Sequence, residues 1–301
     1  MRTALCKISR QISTGVSINF ALTTLALLAF AANSVLCRLA LGAETIDAIS
    51  FTSIRLLSGA TTLLIIVLAS LKKDRLRTEG SWMSSAMLFL YALPFSLAYI
   101  SLDAGAGALI LFAAVQITMV GAALLSGDRP HRMEWTGLIL ALLGLVYLLL
   151  PGLSAPPPGA AAMMVLAGVC WGIYSLRGRK ASSPLADTAS NFLRCVPATI
   201  AVSLWFADEI WLSSKGIVLA IISGALTSGL GYVIWYAALR AMSATRAATV
   251  QLSVPVIAAL GGVLFLAESL TMRLTLSSGL ILGGIGLAIF GSRNAARAGV
   301  S

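Results

Sequence analysis

Three arginines inside apolar stretches are the residues of this sequence whose chemistry stands out first. Arg38, Arg55 and Arg194 each lie within a long hydrophobic run. A charge at the centre of a membrane costs at least about 2.5 kcal/mol, so it normally has a partner or lines a wet cavity. Arg55 and Arg194 could be counter-charges for a substrate carboxylate, but the sequence favours a structural role in which they bind helix-end carbonyls or loop groups. Arg38 lies near the end of its run and is expected to reach water with its long side chain.

Aromatic residues recur at helical spacing in three of the apolar runs. They follow one another by three or four positions, which places each group on one face of a helix. Tyr and Trp need hydrogen-bond partners in hydrocarbon, and a wet cavity would supply them. Core packing and cavity lining both agree with this pattern. The candidate lining residues are Tyr91, Phe95, Tyr99, Trp171, Tyr174, Tyr232 and Trp235.

Uncharged polar residues complete the candidate binding site. Such side chains in apolar runs bond to neighbouring helices or contact a ligand. The candidates are Asn33, Gln116, Asn191, Thr227, Ser228 and Gln251. Pro255 has no backbone N–H, so it leaves a carbonyl of the preceding helical turn without its hydrogen-bond donor. Such a carbonyl could accept a hydrogen bond from a substrate ammonium, and the interrupted helix makes Pro255 a candidate gating residue. Aromatic rings, amides and hydroxyls together suit an amphiphilic zwitterion or a neutral metabolite. We expect no catalytic residue, no metal and no cofactor.

The elements that carry these residues must be membrane-spanning helices. The chain has 301 residues, of which 58% are hydrophobic and 11% charged, whereas about a quarter of a globular protein is charged. Its net charge of +10 reflects membrane topology here and indicates no nucleic-acid partner. At about 20 residues per crossing, the sequence predicts ten spans and no soluble domain. The apolar runs lie at about 18–41, 46–71, 81–102, 104–126, 134–151, 160–176, 186–207, 214–238, 243–266 and 274–291.

The distribution of Lys and Arg predicts the orientation of these helices. When tails and loops are numbered alternately, one set holds 16 cations and the other holds only Lys215 and Arg273. Because cytoplasmic loops collect positive charge, both termini are predicted to be cytoplasmic. The stretch 29–31 imitates a signal-peptide cleavage site, but the apolar run continues to Leu41, which disfavours cleavage.

The two halves of the chain look like an inverted duplication. A shift of about 139 residues aligns similar residues in the same order, and five helices per half require the second copy to enter the membrane upside down. Such repeats are typical of secondary transporters. The aligned pairs include Arg38 with Arg177, Arg55 with Arg194, and Asp128 with Glu268. The predicted units are a cytoplasmic tail (1–17), a first repeat (18–151), a periplasmic linker (152–159), a second repeat (160–291) and a second cytoplasmic tail (292–301).

These features resemble the EamA-type ten-helix members of the drug/metabolite transporter superfamily, which include amino-acid exporters of the YddG type. The resemblance rests on the 5+5 layout, the arginine in the second helix of each half, the acidic end of each fourth helix and the CWGIY stretch at 170–174. It implies an all-helical integral protein of the bacterial inner membrane, with a cavity lined by helices 1–4 and 6–9. Helices 5 and 10 would be peripheral, with Gly279 and Gly283 providing a small-residue packing face. The first half has Gln116 where the second has Pro255, which puts symmetric gating in doubt.

Other function classes fit the sequence less well. No Asp or Glu lies in the middle of a span, which disfavours proton-driven export of cations, and no phosphate-binding loop is present. The only histidine, His131, lies in a basic loop, which disfavours an intramembrane lipid-modifying enzyme. We therefore expect an exporter of amino acids, aromatic or otherwise neutral, or of related metabolites, working by alternating access. A drug or other metabolite carrier of the same fold is the alternative. The expected partners are a small-molecule substrate and the lipid bilayer, with the oligomeric state left open.

Overall fold

The described part of the chain is helical. The computed structural model describes residues 2–69, 79–125, 132–150, 155–179, 181–239, 250–251 and 253–298. Within these ranges there is no strand, and extended pairing is limited to an isolated bridge between Ile46 and Leu212. This agrees with the predicted all-helical class.

Ten helices can be traced in the described ranges. Six of them contain a segment long and apolar enough to cross a membrane, namely α1, α2, α3, α4, α6 and α8, while α9 and the apolar part of α5 are shorter. Ten membrane crossings therefore remain a prediction. The helices are α1 (Arg2–Leu41), α2 (Ala48–Ala69), α3 (Trp82–Ala98), α4 (Ala104–Leu125), α5 (Arg132–Leu149), α6 (Pro158–Gly178), α7 (Pro184–Trp205), α8 (Ser214–Leu239), α9 (Ser253–Leu266) and α10 (Met272–Ala298).

Helices of the two halves pack against their counterparts. Helix α5 lies against α10, α4 against α9, and α2 against α7. The contacts of α6 with α3 and α4 are matched by contacts of α1 with α8 and α9. A two-fold relation between α1–α5 and α6–α10 would produce this pattern.

The connections between helices meet in two groups. The α1–α2 connection binds the α7–α8 connection, where Asp47 N–H donates to the Trp211 carbonyl (3.2 Å) and Trp211 N–H donates to the Asp47 carboxylate (3.1 Å). The α2–α3 connection instead binds the start of α7, where Gly80 N–H donates to the Asp187 carboxylate (3.1 Å). The α1–α2 and α7–α8 connections thus meet each other, and the α2–α3 connection meets a different end of the bundle at the start of α7. Helices that each cross from one side to the other would separate the connections in this way.

The contact between α5 and α10 uses a different glycine from the predicted pair. A Cβ placed on Gly279 or Gly283 would meet nothing within 4 Å, so the predicted packing face is wrong. A Cβ on Gly284 would instead lie 2.6 Å from the backbone nitrogen of Ala141 and from the carbonyl oxygen of Gly137. The close approach therefore lies one residue beyond Gly283, because helix rotation turns that neighbouring position toward α5.

Candidate functional site

Arg55 lies at the centre of a polar network between α2, α3 and α8. Its side chain is 1% exposed. Nε donates to the Ser228 hydroxyl (2.9 Å), and Nη2 donates to the hydroxyls of Tyr91 (3.1 Å) and Tyr232 (3.0 Å). These partners are side chains within helices, not the helix-end carbonyls or loop groups expected from the sequence. The guanidinium therefore links three helices inside the protein.

Asn33 extends this network to α1. Its amide nitrogen donates to the Tyr91 hydroxyl (3.4 Å), and its carbonyl oxygen accepts from the hydroxyls of Ser223 (2.7 Å) and Thr227 (3.1 Å). Each of these side chains is buried. The central polar cluster consists of Asn33, Arg55, Tyr91, Ser223, Thr227, Ser228 and Tyr232.

Three hydroxyls of this cluster, those of Ser223, Thr227 and Ser228, come from an irregular part of α8. Residues Ser223–Leu230 form a π-helical segment, which is rare and is often found at functional sites. The sequence alone did not identify Ser223 as a site residue. The run of Ser, Gly and Thr residues (SGALTSG, 223–229) was the available signal, because such a run is unusual in an otherwise apolar helix.

Gly224 allows the π-helical segment to touch α2 beside Arg55. A Cβ at this position would overlap the carbonyl oxygen of Arg55 and the hydroxyl of Ser58. On the facing helix, a Cβ on Gly59 would lie 3.1 Å from the backbone carbonyl oxygen of Gly224. The two backbones therefore approach closely enough for the Ser228 hydroxyl to reach the Arg55 guanidinium.

Aromatic rings surround one side of the central polar cluster. Trp171 lies between Tyr91 and Tyr232, with ring centroids 4.9 and 4.7 Å away. Phe30 of α1 packs edge-on against Trp171 and Trp235, each at 5.5 Å. Phe30 was missed because the two phenylalanines of α1, Phe20 and Phe30, are ten residues apart and give no periodic signal. The rings belong to four helices, so tertiary packing alone brings them together.

A small internal pocket lies between these rings and Asn33. Of the predicted residues, Asn33, Tyr91, Phe95 and Trp171 line it, and Phe30 is a further lining residue. The pocket has room for about one water molecule. It is thus too small for an amino acid in this conformation, and a ligand of that size requires the helices to separate.

The other predicted lining residues lie outside this pocket. The Tyr99 hydroxyl donates to the Ala104 carbonyl (3.4 Å), and the Tyr174 ring packs on Tyr236 at 5.7 Å. Gln116 and Gln251 are buried in α4 and just before α9. Tyr232 and Trp235 belong to the ring cluster without lining the pocket. Their roles in binding remain predictions.

Arg194 and Arg55, which align in the two halves, have different surroundings. Arg194 donates from Nη1 to the Glu79 carbonyl (3.1 Å) and to the Ser190 hydroxyl (2.6 Å). Its guanidinium carbon lies 5.9 Å from the centre of the Trp82 ring. Arg194 therefore holds the α2–α3 connection against α7, away from the pocket.

Arg38 is partly exposed (21% of its side chain), in agreement with the expectation that it reaches water, and it also forms ion pairs that the sequence did not predict. Its guanidinium lies 3.5 Å from an oxygen of Asp103 and 3.4 Å from an oxygen of Glu268, and Nη1 donates to the Ile100 carbonyl (2.8 Å). Both oxygens of Glu268 accept from Ala104 N–H (3.0 Å). We call Arg38, Asp103 and Glu268 the Arg38 cluster, which joins the end of α1 to the α3–α4 and α9–α10 connections.

The carboxyl of Glu268 is electrostatically unusual. Burial raises its pKa above the ordinary value, and the nearby Asp103 carboxylate adds to this rise. The backbone hydrogen bond from Ala104 and the charge of Arg38 lower the pKa, but not enough to offset burial. In this structure Glu268 therefore holds a proton more readily than an exposed glutamate.

Pro255 lies close to the start of α9 and is buried. Residues 250 and 251 before it are helical, and the Ser253 hydroxyl donates to the Val250 carbonyl (2.8 Å). Backbone N–H groups in the first turn of a helix have no partner within the helix, so a proline at such a position removes no helical hydrogen bond. Its predicted gating role remains a prediction.

Comparisons with known proteins match nearly the whole chain. The profile of the EamA-like transporter family matches residues 18–150 and again residues 159–290. An uncharacterized protein of Pseudomonas aeruginosa is 50% identical over 268 residues, covering 89% of this chain and 93% of that protein. The threonine/homoserine exporter RhtA of Escherichia coli K12 is 32% identical over 168 residues, covering 53% of this chain and 55% of the exporter. One crystal structure matches with a TM-score of 0.63 at 18% identity, covering 90% of this chain and 99% of the matched one, which shows a shared fold.

Proposed function

We propose that this chain, which belongs to the EamA-like transporter family, exports amino acids or related small metabolites across the bacterial inner membrane. Family membership makes it a multi-pass membrane transporter and not an enzyme, which removes the intramembrane-enzyme alternative. The observation that carries the substrate proposal is the internal pocket, where aromatic rings stand beside the amide of Asn33 and the buried cation Arg55. These groups suit a small molecule with both polar and apolar parts, and neutral or aromatic amino acids are the leading candidates.

The proposed architecture is ten membrane-spanning helices in two inverted five-helix repeats, with both termini in the cytoplasm. Three observations support it: the family profile matches each half once, helices pack against their counterparts, and the connections meet in two groups. The excess of Lys and Arg in the predicted cytoplasmic loops supports the orientation.

Transport would proceed by alternating access around the central pocket. The pocket is closed here, so the substrate enters when the helices part on one side and leaves when they part on the other. Inverted repeats provide two such openings, because each half can adopt the conformation of the other. Export of amino acids agrees with the similarity to RhtA, which extends over about half of each chain.

Counterflow in proteoliposomes tests this function. Purified protein is reconstituted with one unlabelled amino acid inside, and the same labelled amino acid is added outside. A carrier exchanges the two and transiently accumulates label, whereas a pore only equilibrates it. Accumulation with threonine, homoserine or aromatic amino acids, abolished by excess unlabelled competitor, is the expected result. Folded protein without accumulation for any amino acid would remove the amino-acid assignment and favour another metabolite or a drug.

A further inference from the structure

We propose that Arg55 is the carboxylate receptor of the transport site, so that every substrate must carry a carboxylate. This inference rests on the proposed function and specifies which part of the substrate is recognised. It departs from the structural role that the sequence favoured for Arg55. Three features carry it: the missing counter-ion, the unused guanidinium nitrogen and the position beside the pocket.

The charge of Arg55 has no acidic partner among the residues whose positions are described. Both ion pairs in that part of the chain belong to Arg38. The partners of Arg55 are three neutral hydroxyls, and no Asp or Glu lies more than one turn inside a described helix. A buried cation without a counter-ion is costly, and a bound carboxylate would offset that cost.

The guanidinium also has a nitrogen left to bind. Nη1 of Arg55 is buried and has no hydrogen-bond acceptor in the described ranges, while Nε and Nη2 are both engaged. A guanidinium presents its N–H groups as a planar fork that matches the two oxygens of a carboxylate. Nη1 and Nη2 form one such fork when the hydrogen bonds from Nη2 to the hydroxyls of Tyr91 and Tyr232 are broken.

Arg55 lies directly against the wall of the pocket. Its guanidinium carbon is 5.3 Å from the ring centre of Tyr91 and 5.0 Å from that of Phe95, and both rings line the pocket. The Tyr91 hydroxyl joins Arg55 to Asn33, which is itself a lining residue. When the pocket widens, a carboxylate can replace the hydroxyls of Tyr91 and Tyr232 without moving the arginine backbone.

This arrangement predicts how substrates are selected. An analogue without a carboxylate would leave the buried arginine unpaired. Loss of a polar group that the site binds weakens binding far more than the gain or loss of a methylene group does. The ammonium of an amino acid would be held by the amide of Asn33 and by the electron-rich faces of Tyr91 and Trp171. Side-chain size would then be read by the remaining rings.

Competition on the unmodified protein is the first test. Counterflow of a transported amino acid is measured against the unlabelled acid, its amide and the amine lacking the carboxyl group. We expect the amide and the amine to compete at least about 100-fold more weakly than the acid. Competition by the amide equal to that by the acid would overturn the proposal.

Variants of Arg55 are the second test. Arg55→Lys keeps the charge but loses the fork, so KM should rise about tenfold, and Arg55→Gln should raise it further. Arg194→Gln is the matched control, because it removes an aligned arginine that lies away from the pocket. It should lower the amount of folded protein and leave KM unchanged. Folded Arg55→Gln protein with the parent KM would contradict the proposal, and if this variant does not fold, competition on the unmodified protein decides.

A third measurement separates this proposal from the amino-acid assignment. If no amino acid shows counterflow, that assignment fails, and melting of the purified protein is followed with butyrate and phenylacetate against butyramide and phenylacetamide. Stabilisation by the carboxylates alone, lost in Arg55→Gln or greatly reduced in Arg55→Lys, would still support Arg55 as the receptor. Equal effects of carboxylates and amides would refute it.

Discussion

At the scale of single residues, burial does not distinguish a pocket-lining aromatic residue from a packing one. Trp171 and Tyr99 are 2% and 0% exposed. The difference lies in what each ring faces. Trp171 faces the pocket, whereas the Tyr99 ring fills the space beside Gly107, where an added Cβ would lie 2.5 Å from it. Substitutions that keep the ring can therefore separate the two roles.

Trp171→Phe should weaken substrate binding, while Tyr99→Phe should not. The first change shrinks a ring in the pocket wall and is expected to raise KM about tenfold. The second keeps the ring and removes the hydroxyl, whose hydrogen bond to the Ala104 carbonyl is long (3.4 Å) and worth about 1 kcal/mol of stability. Counterflow kinetics of both variants provide the measurement. An unchanged KM for Trp171→Phe would remove this residue from the binding site.

Sequence patterns placed the aromatic residues on helix faces but could not show which faces meet. Arg55 and Arg194 occupy aligned positions, and nothing in their local sequences predicts that one lies among hydroxyls and the other beside a loop carbonyl. The hydroxyls around Arg55 and the Glu79 carbonyl beside Arg194 are each more than 30 residues away in the chain, whereas Ser190 is a local partner of Arg194. Spacing of three or four residues is a local property, so contacts of this kind arise only from tertiary packing.

At the scale of elements, the contact between α2 and α8 depends on the absence of a side chain at Gly224. Gly224→Ala should push the π-helical segment away from Arg55, because the new Cβ overlaps the Arg55 carbonyl. Overpacking of this kind typically costs 1–3 kcal/mol, so about 2 kcal/mol is expected here. Thermal unfolding in detergent measures the change.

Gly283→Ala is the control for this prediction. It lies in a helix where the Cβ has open space, so stability should stay the same or rise slightly. Equal melting temperatures for the two variants would show that α2 and α8 do not approach each other as described.

The Arg38 cluster makes a prediction about pH. Because the pKa of Glu268 is raised in the folded protein, the folded state binds this proton more tightly than the unfolded chain. The free energy of unfolding contributed by Glu268 should therefore fall as the pH rises from its ordinary pKa of 4.5 through the raised value. Glu268→Gln does not titrate, so the parent should lose melting temperature relative to this variant over that window. A constant difference from about pH 4 to about pH 7 would contradict the assignment.

At the scale of the whole molecule, the closed pocket implies that transport exposes residues that are buried here. Cys37 of α1 and Cys195 of α7 are free and buried. Cys37 precedes the Arg38 cluster in the chain, while the Cys195 thiol donates to the Ser85 carbonyl (3.2 Å) near the opposite group of connections. The two thiols therefore report on opposite sides of the molecule.

Breaking the Arg38 cluster should change the reactivity of these thiols in opposite directions. In variants that keep one cysteine and replace the others by serine, Glu268→Ala should speed maleimide labelling of Cys37 and slow that of Cys195. The reason is that opening one side of an alternating-access carrier requires the other to close. Labelling rates from mass spectrometry give the answer. Parallel changes at both thiols would indicate general loosening instead.

The helical class was predictable because apolar runs of about 20 residues have few other stable structures in a membrane. The starts of α3 at Trp82 and of α4 at Ala104 lie close to the predicted limits, since Ser81 and Asp103 mark them. The role of the π-helical segment of α8 was not predictable, because its side chains bind residues of α1 and α2 that are distant in the chain.

The Arg38 cluster also bears on what decides the direction of flow. The ion pairs with Asp103 and Glu268 hold the helices together at one end of the bundle. They therefore stabilise the conformation of the carrier that is closed at this end and prolong its lifetime. In a carrier driven only by its substrate gradient, this conformational preference affects transport in both directions. Net transport still ceases when the substrate concentrations on the two sides of the membrane are equal. Stronger ion pairs in the Arg38 cluster would slow substrate exchange equally for export and import. The substrate gradient across the membrane then sets the net direction of transport. The ion pairs of the Arg38 cluster change the rate of transport and not its direction.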